Sequence, residues 1–85
     1  MRMKNSLLRI PGVGKSIAAD LNGIGIHLVE ELKNKDPEVL YTKICEKQGA
    51  VIDRCLLYVM RCAVYFASNT QHDPERLKWW KWKDR

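Results

Sequence analysis

Arg9, Gly12, Val13, Gly14, Lys15 and Ser16 fall within eight residues, and their types suit the capture of an anion rather than the making or breaking of bonds. Gly12 and Gly14 carry no Cβ and reach positive φ, so the backbone between them turns tightly and comes close to a ligand. The next residues, Lys15-Ser16-Ile17-Ala18-Ala19, open an amphipathic helix. Its first amides have no partner within the helix, and its dipole is positive at that end. Lys15 adds a full charge at the same place, so a phosphate is the natural guest. A second basic set, Arg54 and Arg61, is spaced with Tyr58 and Tyr65 at i, i+4, i+7 and i+11. This stripe reads either as a phosphate track or as a half-buried face against the C-terminal segment.

Other chemistries fit poorly. Gly14-Lys15-Ser16 copies the end of a nucleotide phosphate loop, but Arg9 stands where that loop needs its first glycine and no strand precedes it. The dinucleotide fingerprint lacks its third glycine and its strand. No nucleophile–base–acid set or paired carboxylate stands out, so the chain is not expected to be an enzyme. Cys55 and Cys62 lie seven residues apart, about 10 Å along a helix, too far for a disulfide. They make a poor metal pair without Cys45 or His72 and read as buried small residues. His27 reads as a surface residue, and no metal or cofactor is expected.

The 85 residues make one small domain near the size at which a single core suffices. A 46% hydrophobic and 29% charged composition belongs to a folded chain, not a disordered one. The net charge is +5 and unevenly spread. Residues 1–19 carry Arg2, Lys4, Arg9 and Lys15 with no acid, whereas residues 20–53 hold seven acids and four bases. From residue 54 onward positive charge returns, through Arg54, Arg61 and the five bases of residues 72–85. Such a distribution favours polyanions at the glycine turn and at the C-terminus. The N-terminus is too short and too weakly apolar for a secretory signal, and no apolar run reaches membrane-spanning length. Three cysteines make a poor disulfide framework. A soluble cytoplasmic protein with no membrane contact is the expectation.

The elements that must position these residues are helical. A short helix is expected from Asn5 or Ser6, ending before Pro11, and a second from Gly14 to Leu21 or Asn22, with Ala18 allowing close approach. Residues 26–32 form a further turn, with Ile26, Val29 and Leu32 inward. Asp36-Pro37-Glu38 opens a fourth helix with a cap, a first-turn proline and an acid on the positive dipole end; Gln48-Gly49 closes it. Its inward stripe is Val39, Leu40, Ile44 and Tyr41. The fifth and longest helix is expected over residues 51–68, with Ile52, Cys55, Leu56, Val59, Met60, Ala63, Phe66 and Ala67 inward. Asp73-Pro74-Glu75 repeats the capping pattern and predicts a last helix to about Trp82. In Lys78-Trp79-Trp80-Lys81-Trp82-Lys83, Trp79 and Trp82 at i, i+3 suit core packing with Trp80 left outside. The same composition also suits stacking on bases or a partner contact.

The pattern Leu7, Ile10, Pro11, Gly12, Val13, Gly14, Lys15, Ala18, Leu21, Gly25, Ile26 resembles the helix-hairpin-helix motif. With Val29-Glu30-Glu31-Leu32, Asp36-Pro37-Glu38 and Asp53-Arg54-Cys55 through Tyr65, the chain resembles the small bacterial helix-hairpin-helix family named after a pathogenicity locus. The resemblance implies an all-α, compact, five- or six-helix, SAM-domain-like bundle over residues 1–70, with residues 71–85 a basic, Trp-rich tail packed on or extending it. It also implies DNA binding through the motif. The expected function is therefore sequence-independent contact with duplex DNA. Backbone phosphates would sit at Gly12, Val13, Gly14, Lys15 and Ser16, with Arg9, Arg54 and Arg61 adding charge. The alternative is a protein-interaction module that forms a homodimer or binds a protein partner without nucleic acid.

Overall fold

A computed structural model describes residues 6–83. The expected contributions of Arg2, Lys4 and Asn5 lie outside that range. Among the described residues every regular element is helical, without strands. Three α-helices carry it: α1 over Lys15–Gly23, α2 over Pro37–Gln48 and α3 over Cys55–Ser68. The five or six helices expected from the sequence reduce to these three, with four-residue 3₁₀ turns at Ser6–Arg9 before α1, Val29–Leu32 between α1 and α2, and Pro74–Leu77 and Trp79–Trp82 after α3. Short segments of that kind settle for i, i+3 bonds when tertiary contact, not helix propagation, holds them.

Local signals explain the boundaries of α2. The Asp36 carboxylate accepts the Glu38 amide at 2.9 Å, Pro37 occupies the first turn, and Gly49 takes the left-handed cap at φ 69°. Of the expected inward stripe, Leu40 and Ile44 are buried and Tyr41 is half-buried; Val39 faces out. The third α-helix starts four residues later than its apolar sequence suggests. Asp53 accepts the Cys55 amide at 2.8 Å at the start of the helix, and the Tyr41 hydroxyl donates to the Ile52 carbonyl just before it.

The core gathers Leu7, Ile10, Val13, Ala18, Leu21, Leu32, Leu40, Ile44, Val59, Met60 and Ala63 around α3. That helix packs on α2 and the Val29–Leu32 turn, while the C-terminal turns pack along it as well. Being covered on several sides, α3 buries Leu57 and Cys62 outside the main cluster. The Cys62 sulfur lies 3.5 and 3.6 Å from the carbonyls of Arg76 and Leu77, and burial pushes its thiol pKa up to about 11. Cys55, expected inside, is exposed. The expected last helix breaks at Lys78, whose extended backbone (φ −86°, ψ 103°) separates two turns.

Candidate nucleic-acid interface

Ile10-Pro11-Gly12-Val13 forms a type II turn, with the Val13 amide donating to the Ile10 carbonyl at 3.0 Å and Gly12 at φ +89°. Proline presets the first central residue, and the second needs the positive φ that glycine supplies without strain. Gly14, by contrast, is extended at φ −98° and ψ −171° and acts as the N-cap of α1. Only Gly12 of the pair uses positive φ. Gly14 matters for what it lacks: no side chain caps α1, and no acid stands in its first turn. The first helical bond is the Ala18 amide to the Gly14 carbonyl at 2.9 Å, so the amides ahead of Ala18 have no carbonyl within the helix to bond.

Gly12, Gly14, Lys15 and Ser16 are exposed around these amides, and Arg9 is exposed at the end of the preceding turn. Val13 differs from the rest, because its side chain enters the core and its amide closes the turn. Beside them runs a groove of about 300 Å³ lined by Gly12, Ser16, Ile17, Asp20, Asp53 and Trp79, among others. Its two acids are already engaged. Asp20 accepts from the Gln48 amide group at 2.7 Å, and the Cys55 amide lowers the Asp53 pKa while Asp53 in turn raises that of the Cys55 thiol.

The two arginines of the third helix part company. Arg54, exposed at its N-cap, adjoins the groove residues Asp53 and Cys55 and is close enough to Tyr41 to act on its hydroxyl electrostatically. Arg61 is half-buried and donates to the Trp82 carbonyl at 2.7 Å. It also pairs with Glu38 at 3.4 Å and lies over the Tyr58 ring at 5.7 Å. Tyr65 likewise serves the tail, with its hydroxyl accepting the Asp73 amide at 2.8 Å and its ring against His72 and Trp82. The aromatic–basic stripe is thus largely a clamp on the C-terminal segment. His27 is exposed, and its amide donates to Glu31 at 2.6 Å.

Sequence reasoning misses the contact that brings the tail to the glycine turn. A Cβ on Gly12 would stand 2.7 Å from Cδ1 of Trp79. Trp79 is half-buried against the core, and Trp80 stands edge-on to it at 5.9 Å between ring centres, 51% exposed. The family model described as Cdd1, pathogenicity locus, matches residues 2–85, from before the turn to beyond the last tryptophan. The chain belongs to the pathogenicity-locus family. It is also similar to the mitomycin resistance protein McrB of Streptomyces lavendulae, at 32% identity over 76 residues that span 89% of this chain and 69% of that protein. No solved structure matches it significantly. The match places the glycine turn and the tryptophan segment of this pathogenicity-locus chain within one family unit. None of the helices among the described residues is long and apolar enough to cross a membrane.

Proposed function

We propose that the chain is a DNA-binding module of the helix-hairpin-helix kind, holding backbone phosphates without reading base sequence. The observation that carries this reading is the start of α1: an N-cap glycine with no capping side chain, no first-turn acid, and Lys15 and Ser16 exposed beside it. Exposed helix N-terminal amides and a lysine form an anion site through hydrogen bonding, dipole and charge together. Arg9 adds a second cation on the near side of the turn. Phosphate contact of this type positions a duplex and carries no sequence information. The resemblance of Leu7–Ile26 to the motif supports the same reading, as does the acid-free composition of residues 1–19.

The test is a titration of labelled duplexes of several sequences at three or more salt concentrations. Affinity should be similar across sequences, and the slope of log K against log salt should be near −3 if about three phosphates are neutralised. Absence of binding at low salt overturns the proposal.

A further inference from the structure

Trp80 is the one indole of the tail that its own fold leaves uncovered. Trp79 fills the space over Gly12, and the Trp82 indole donates to the Arg76 carbonyl at 2.7 Å. Trp80 instead is 51% exposed and leans edge-on against Trp79, one indole away from the glycine turn. Lys78, Lys81 and Lys83 flank it in sequence. Lys78 and Lys81 pair with Glu75 at 3.0 and 3.6 Å, but both ammonium groups are exposed, and ion pairs of that kind are weak and easily exchanged for a phosphate. The arrangement joins two requirements of single-strand recognition: an aromatic face for a base, and nearby cations for the backbone. An indole also stacks on any base, which accords with a site that reads no sequence.

We propose that Trp80 is a stacking platform for an unpaired base, so that the chain prefers duplex DNA bearing a single-stranded end over a blunt duplex. This rests on the reading of the glycine turn as a phosphate site. The turn would hold the duplex backbone while the tail takes the first unpaired base beside it.

The experiment compares a blunt duplex with the same duplex carrying a short single-stranded overhang, by fluorescence anisotropy at low salt. The unaltered chain should bind the overhang form more tightly. Trp80→Ala should remove roughly five- to a hundredfold of affinity for the overhang form, the range for one stacked base, and leave the blunt duplex unchanged. Trp80→Phe should keep most of the preference. Trp80→Gln, checked by circular dichroism, should repeat the alanine result if that variant folds poorly. Equal affinity of the unaltered chain for both DNAs overturns the proposal. So does an equal loss on both in Trp80→Ala, or a Trp80-dependent self-association with DNA binding untouched. The blunt duplex separately judges the glycine turn, because Lys15→Glu should weaken binding to it; no such effect would overturn the reading on which the stacking proposal rests.

Discussion

Gly12 and Trp79 stand 67 residues apart in the chain and touch in space, so closely that a methyl group on Gly12 would lie 2.7 Å from the indole. The residue also sits at φ +89°, a conformation that side chains with a Cβ resist. Gly12→Ala should therefore destabilise the fold by about 1–3 kcal/mol through backbone strain and displacement of Trp79. For a chain of this size each kcal/mol lowers the melting temperature by about 4–8 °C. Tryptophan emission should shift to the red as Trp79 leaves its site. A melt and spectrum indistinguishable from the parent would show that the contact does not hold the tail.

Gly14 tests a different property of the same turn. Its backbone has ordinary N-cap geometry, and a Cβ there meets nothing within 4 Å. Gly14→Asp should supply the missing cap and raise stability by a few tenths of a kcal/mol. The new carboxylate would occupy the same amides that a phosphate needs and repel it. DNA affinity should fall roughly tenfold or more, equivalent to one hydrogen bond to a charged group. Thermal melts and a duplex titration on one preparation measure both. Greater stability with unchanged DNA affinity would remove the helix start from the interface.

What was legible in the sequence is what local chemistry decides. Asp36-Pro37-Glu38 and Gln48-Gly49 bound α2 because capping acts over three or four residues. Ile10-Pro11-Gly12-Val13 is likewise a turn by composition alone. The apolar residues Val51 and Ile52 suggest helix, but they lie ahead of α3 in a stretch held by Asp53 and Tyr41, and Val51 is 91% exposed. Leu57 and Cys62 escape a one-face reading because α3 is covered on more than one side. For Arg61 the sequence leaves a phosphate track and a face against the C-terminal segment equally open, because its partners Trp82 and Glu38 come from distant segments. The approach of Trp79 to Gly12 has no local signature at all.

Acid should loosen three local clamps together. The amides of His27 and Leu28 lower the pKa of Glu31, the Cys55 amide lowers that of Asp53, and Lys78 lowers that of Glu75. All three values fall in the folded state below the ordinary 4.5 for glutamate and 3.8 for aspartate. Their contribution is fully present above those ordinary values and is lost as pH falls through the lower folded-state ones. Denaturation midpoints in urea should hold steady from neutral pH to about 5 and then decline. Asp53→Asn keeps an acceptor for the Cys55 amide but no titrating charge, so it should flatten part of that decline. An acid limb identical in this variant would mean that Asp53 does not take part.

Arg61 separates structural from DNA-binding charge. Its guanidinium spans the Trp82 carbonyl and the Glu38 carboxylate, tying the C-terminal turn to both α2 and α3. Arg61→Met keeps the length of the side chain and removes the donors, leaving the carbonyl without its charged partner. The expected loss is about 1.5–3 kcal/mol. Arg61→Lys should recover only part of it, because an ammonium does not reproduce the planar fork that reaches two acceptors at once. Below the melting transition both variants should bind blunt duplex DNA like the parent, with the same salt slope, whereas Lys15→Glu should lower both affinity and slope. If the methionine variant instead lost as much affinity as Lys15→Glu at full stability, Arg61 would belong to the phosphate contacts and not to the clamp.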